Sequence, residues 1–184
     1  MSAFNNESRI ERADLYKLLA TFFLQAPTSD ALAEFSGIEG IKVEESAHDI
    51  WHDFHNLFVH NKVPLYESFY NYPAGEIPKQ WGMAAMDVQR IYESAGLTME
   101  EELQIFPDHI STELLFMSYL VENGRINEQS AFIEGHLVRW VPIFCDEVLE
   151  HAQTGFYKQI AILLKELVSS DYKDLRGGLI EGQQ

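Results

Sequence analysis

Apolar residues recur along this chain at spacings of three and four, a period that only helices turn to one face. Ile10, Ala13, Leu15, Leu18, Leu19, Phe22 and Phe23 share the broad face of a first helix. Pro27 ends it, and Ser29 is placed to cap a short second helix through Phe35. Gly37 and Gly40 mark a break. A third helix is expected from Glu44 to Phe58, with Ala47, Trp51, Phe54, Leu57 and Phe58 on one side. A fourth is expected from Gln80 to Ala95, ended by Gly96, and a fifth from Asp108 to Glu122, stopped by Asn123-Gly124. A sixth spans Asn127 to His151 with a bend at Pro142, and Thr154 caps a last helix to Ser169. No segment joins period-two alternation to the turn residues of a hairpin. The expected fold is all-α: one helical bundle over residues 1–184, with about six or seven helices and a mobile tail from Gly177 to Gln184.

Composition removes several functions. A chain of 184 residues that is 46% hydrophobic can bury a core and is not a disordered acidic tail. With 13 Lys+Arg against 29 Asp+Glu, the net charge is −16. Such a chain repels phosphate backbones and attracts a basic partner, so no nucleic-acid partner is expected. One cysteine, Cys145, excludes an intramolecular disulfide framework and any multi-cysteine metal site. It sits at helical spacing from Val141, Val148 and Leu149, as a small core residue does. No stretch approaches the ~20 apolar residues of a membrane span, so no stable membrane insertion is expected. Met1 to Arg12 lacks the basic-then-apolar design of a signal segment. A cytoplasmic location is the expectation.

Two stretches depart from the helical pattern. Val63 to Pro78 holds three prolines and four aromatics, which predicts a long ordered loop rather than a helix. Leu97 to Pro107 is a second linker, with three consecutive glutamates at 100–102.

Candidate chemistry is sparse. His48, His52 and His55 share a helix face, a spacing compatible with zinc, yet that face points to solvent beside Asp49 and Asp53. A metal-dependent hydrolase built on these histidines, or on the Asp108–His109 pair, is the alternative enzyme reading. Phosphate-loop, nucleophile-elbow and Cys/His signatures are absent. Asp108, after Pro107, is placed to cap the fifth helix, with Glu113 in its first turns and Leu114, Met117, Leu120 and Val121 as its buried stripe.

The segment Pro107-Asp-His-Ile-Ser-Thr-Glu-Leu-Leu-Phe-Met-Ser-Tyr-Leu120 closely resembles the P-D-H-(x)3-E-L-x-F-M motif of the TorD/DmsD family of cytoplasmic chaperones for molybdenum oxidoreductases. Asp53 to Tyr70, with its Leu57-Phe58 helix end and its Tyr66-Glu67-Ser68 segment, is similar to a second block of that family. Phe132 to Phe144 is similar to its H-L-x-x-W-x-P pattern, and Thr154-Gly-Phe-Tyr157 also fits. The resemblance implies a helical, non-catalytic, single-domain chaperone with no cofactor of its own, monomeric or homodimeric. It would bind the twin-arginine signal peptide or the apo form of a molybdopterin oxidoreductase, holding it for cofactor insertion before export or assembly.

The client-peptide site expected from motif and chemistry together is Leu57, Phe58, Tyr66, Glu67, Ser68, Tyr70, Trp81, Asp108, His109 and Glu113. Tyr66, Phe69, Tyr70 and Tyr72 offer rigid amphipathic contacts to an apolar segment. Glu67, Asp108 and Glu113 offer carboxylates to guanidinium groups. The loop from Pro64 to Tyr72 is expected to lie against the start of the fifth helix, bringing Tyr66 and Glu67 to Asp108 and His109. Asp108 would then both cap that helix and present its charge.

Overall fold

The computed structural model describes residues 6–37, 42–75, 77–98 and 106–181. Among these residues there is no β-strand, and the expected all-α bundle is the fold observed. Its helices are α1 (Asn6–Leu24), α2 (Ser29–Ser36), α3 (Ala47–Phe54), α4 (Met83–Ser94), α5 (Ile110–Glu122), α6 (Ile126–Phe132), α7 (Val138–His151) and α8 (Gly155–Glu181). π-turns follow α3 at His55–Val59 and join α6 to α7 at Ile133–Leu137.

The bundle is built on two long pairings, α1 along α5 and α7 along α8. Ser111 and Ser118, two turns apart on α5, donate to the carbonyls of Ala20 (2.8 Å) and Ala13 (2.9 Å) on α1. The pairing is therefore antiparallel, and the small serine side chains let the two backbones approach. Leu114, Met117, Leu120 and Val121 fill the interface as the periodicity predicts. Aromatic rings close the centre. Phe22 meets Phe35 and Phe156 edge to face at 5.0 and 5.2 Å, and Phe23 meets Phe58 and Phe144 at 5.8 and 5.3 Å. Cys145 is fully buried, and that burial pushes its thiol pKa upward, away from nucleophilic use.

Glycine stops α4 and α5 as expected. Gly96 and Gly124 have φ of 81° and 62°. Behind them, the amides of Leu97 and Arg125 donate back to the carbonyls of Tyr92 and Leu120, satisfying the helix ends.

Several helix boundaries depart from the sequence expectation, each for a local reason. Thr28, not Ser29, caps α2, its hydroxyl accepting from the Ala31 amide (3.2 Å). α3 starts at Ala47 because Ser46 caps it through the Asp49 amide. The buried stripe of α3 is Ile50, Asp53 and Phe54, so Trp51, expected inside, lies exposed. The phase is set by Asp53, expected toward solvent. Its carboxylate accepts from the amides of Gln153 (3.0 Å) and Thr154 (2.8 Å) and from the Thr154 hydroxyl (2.7 Å), fixing the start of α8. The helix expected over Asn127–His151 changes its hydrogen-bond ladder at the π-turn, ahead of Pro142, which lies within α7. α8 continues past Ser169 to Glu181, so 177–181, expected as mobile tail, are helical. Residues 182–184 and the glutamates at 100–102 lie outside the described residues.

Candidate functional site

The Pro/Tyr loop lies across the start of α5, as expected. Tyr66 and His109 form an isolated antiparallel bridge. The Glu67 amide donates to the Asp108 carbonyl (2.9 Å), and the Ile110 amide to the Leu65 carbonyl (2.8 Å). Ser68 sits in a short 3-10 turn, Glu67–Phe69, and both its amide (3.0 Å) and its hydroxyl donate to Asp108 Oδ2.

Asp108 does not cap α5. Its carboxylate turns away to Ser68, and the cap is His109, whose Nδ1 accepts from the Ser111 amide (3.1 Å). An accepting ring nitrogen requires a neutral imidazole. Burial holds the His109 pKa down to about 4, so it is neutral at physiological pH.

Beneath the loop three carboxyl groups converge. Glu67 and Glu113 have no exposure, and Asp108 is 1% exposed. Glu67 Oε1 accepts from Asn71 (2.6 Å), and Oε2 pairs with His136 Nδ1 (2.9 Å). Glu113 Oε2 accepts from Trp140 Nε1 (3.1 Å), while Glu113 Oε1 and Asp108 Oδ1 have no hydrogen-bond partner. Burial, reinforced by the charge of Glu67, raises the Glu113 pKa well above the usual carboxyl range; burial also raises that of Asp108. A proton on Glu113 turns its free oxygen into a donor toward Glu67, which accounts for two buried glutamates side by side.

The expected site residues are thus brought together but mostly face inward. Leu57 and Phe58 belong to the core and hold the loop from below, where the Val63 amide donates to the Leu57 carbonyl (2.8 Å). Tyr70 is half-buried, stacks on Trp140 (5.6 Å) and donates to the Pro64 carbonyl (2.9 Å). Glu67, Ser68, Asp108 and Glu113 are covered, so the carboxylates are not presented at the surface in this conformation.

Trp81 is the exception, 48% exposed. Its φ of 59° is left-handed, a strained conformation for a bulky side chain. The turn is held from behind. A methyl on Gly82 would lie 3.0 Å from Ser68 Oγ, a tight approach that would press on the Ser68–Asp108 pair. The same stretch of chain exposes further apolar side chains, Tyr72, Ile77, Met83 and Met86. Phe106 bridges inward, 5.5 Å from Trp81 and 5.6 Å from Tyr66, which itself meets His109 at 5.1 Å.

A groove of about 360 Å³ is walled by Asn71, Tyr72, Pro73, Met83, Ala84 and Asp87 on one side and by Gly135, His136 and Arg139 on the other. Its floor reaches the carboxyl cluster, because Asn71 and His136 both bond Glu67. The sequence reading did not assign this groove. A signal was present, since His136 and Trp140 stand at i, i+4 and share a helix face.

On the histidine face, His48 and His52 bring their Nε2 atoms to within 3.1 Å of each other. Their rings meet edge to face, but His55 turns its Nδ1 to the Trp51 carbonyl (2.8 Å). Among the described residues, no three His, Cys, Asp or Glu side chains are grouped to hold a metal ion. Nor, among them, is any helix long and apolar enough to cross a membrane.

Comparison with known proteins agrees with the motifs. The family described as "Nitrate reductase delta subunit" matches residues 23–146. The chaperone protein TorD of Vibrio atlanticus is 29% identical over 163 residues, covering 80% of this chain and 72% of that protein. The Tat proofreading chaperone DmsD of Salmonella typhi is 28% identical over 85 residues, covering 46% of this chain and 42%, less than half, of that relative. In fold, the chain resembles a crystal structure described as a redox enzyme maturation protein from Archaeoglobus fulgidus, with a TM-score of 0.59 at 22% identity over 92% of this chain and 98% of that one. The matched region contains the loop, the carboxyl cluster, Trp81 and the groove, and the chain belongs to the nitrate reductase delta subunit family, of TorD/DmsD type.

Proposed function

We propose that this protein is a cytoplasmic maturation chaperone, not an enzyme. It binds the twin-arginine signal peptide or an adjoining segment of an apo-molybdopterin oxidoreductase and holds it until the cofactor is inserted. The observation that carries this reading is the set of exposed apolar side chains between residues 72 and 86, Tyr72, Ile77, Trp81, Met83 and Met86, on a chain of net charge −16. A signal peptide has a basic segment followed by an apolar one. Acidic charge draws the first, and an aromatic and methionine surface accepts the second. The buried residues of the expected site then act as supports: Asp108 and Ser68 fix the turn that presents Trp81, and Glu67, His136 and Glu113 hold the groove floor. Tyr66 and Trp81 touch the client.

The test is a titration of the full chain with a peptide carrying two arginines and then an apolar stretch, against the same peptide with both arginines changed to glutamine. The reading expects saturable binding that weakens on loss of the arginines and weakens again in Trp81→Ala. No binding, or binding equal for both peptides and for Trp81→Ala, would overturn it.

A further inference from the structure

Gly135 lies inside the continuous helical run from α6 to α7, where glycine is less stable than alanine. Two causes ordinarily explain such a glycine. One is a left-handed φ, which Gly135 does not have; the positive-φ glycines are Gly75, Gly96 and Gly124. The other is a neighbour too close for a methyl, and a Cβ built on Gly135 meets nothing within 4 Å. The space it leaves is the groove, of which it forms part of one wall, opposite Tyr72, Pro73 and Met83. The π-turn containing Gly135 also places His136 against Glu67.

The charges of the groove say what fits there. The chain as a whole is strongly acidic, but this groove carries one anionic side chain, Asp87, and one cationic one, Arg139. Asp87 is already paired with Arg90 (2.9 Å), and Arg139 Nε donates to the Glu134 carbonyl (3.0 Å). A locally balanced groove offers little to a basic segment. Its apolar wall includes the exposed Tyr72 and Met83, and Asn71, Asp87 and Arg139 can donate to and accept from a peptide backbone.

We infer that Gly135 opens a subsite for the apolar segment of the client peptide, which crosses the groove extended, its backbone against Gly135 and its side chains on Tyr72, Pro73 and Met83. This inference rests on the proposed function and adds a division of labour. The apolar segment is read in this groove, and the basic segment is drawn by the acidic surface outside it. Gly135 is a specificity residue through the side chain it lacks.

Two variants of the full chain test it, Gly135→Ala and Gly135→Leu, each titrated with the peptide of two arginines and an apolar stretch. Gly135→Ala is expected to melt no lower than the parent, because alanine favours the helix and the space is open. It should bind the peptide several-fold more weakly, and Gly135→Leu about tenfold or more, the scale of an overpacked contact. A control peptide with its apolar stretch replaced by serine should bind the parent weakly and be indifferent to both variants. Parental affinity in both variants overturns the inference while leaving the proposed function standing. Failure of the parent itself to bind the full peptide overturns the proposed function, and this inference with it. Should Gly135→Leu fold poorly, Gly135→Ala decides, since it requires no repacking.

Discussion

Glu113 shows how much of this site depends on single protons. One of its oxygens accepts from Trp140, and the other is satisfied only if it carries a proton toward Glu67. Its pKa is raised by burial first and by Glu67 second, so the folded protein keeps a proton that the unfolded chain releases above its ordinary value near 4.5. Stability contributed in this way is present at low pH and is lost as pH rises toward the folded-state pKa. His109 acts in the opposite direction. Its pKa is about 4 when folded against 6.5 ordinarily, so the unfolded chain takes up the proton first and stability is lost as pH falls from 6.5 toward 4. Glu113→Gln supplies a permanent donor in place of the proton. It is expected to flatten the alkaline decline and leave the acidic one, read as urea midpoints from about pH 5 to about pH 9. Parallel pH curves for parent and variant would remove the shared proton. Asp108 divides by hydrogen bonding in the same way. Asp108→Ala strands the buried Ser68 amide and hydroxyl and should cost about 2–3 kcal/mol, whereas Asp108→Asn still accepts from both and should cost less than about 1 kcal/mol in urea unfolding. The motif marked these residues in the sequence, but their burial did not show there. Asp108 is covered by a loop from elsewhere in the chain, and its local pattern, Pro-Asp before a helix, reads as a cap.

The helices themselves were legible because their signals are local. Apolar spacing gave α1 and α5, and glycine stops gave the ends of α4 and α5. Boundaries slipped where a distant contact competes with the local signal. α4 starts later than Gln80, at Met83, because Trp81 takes a left-handed φ of 59° that a right-handed helix cannot include, and Gly82 behind it packs close to Ser68. α3 presents Asp53 inward, and Trp51 outward, because the first amides of α8 need an acceptor. That last contact carries its own prediction. Asp53 accepts from two backbone amides and one hydroxyl at the start of the longest helix, with Asp53 and Thr154 themselves buried. Asp53→Ala leaves these donors without a partner and should lower stability by about 2–4 kcal/mol, with Asp53→Asn recovering part of it. Chemical denaturation decides, and an Asp53→Ala midpoint equal to the parent's would mean water replaces the carboxylate without cost.

Across the whole molecule, the proposed function assigns charge and apolar surface separate parts in capturing a client, and kinetics can tell them apart. Four of the surface cations are paired with carboxylates, Lys17 with Glu122, Arg90 with Asp87, Arg125 with Glu128 and Lys165 with Asp146. What acts at long range is therefore the acidic excess within the net −16. Such a field steers a basic peptide during approach and is screened over ~8 Å at physiological salt. The face around Trp81 acts only on contact, through desolvation, which salt does not screen. Composition alone shows the acidic excess, because net charge needs no structure. It does not place the apolar surface, since Tyr72 and Met83 come to one groove only in the folded chain. Raising salt from about 0.05 M to about 0.5 M should slow association with an arginine-bearing, apolar peptide by about tenfold or more and leave dissociation nearly unchanged. Trp81→Ala should do the reverse, speeding dissociation several-fold at every salt concentration and leaving the association rate close to the parent's. Stopped-flow mixing across a salt series reads both constants on the same preparations. An association rate flat in salt would remove electrostatic capture, and a Trp81→Ala effect confined to association would remove the apolar face as the holding surface.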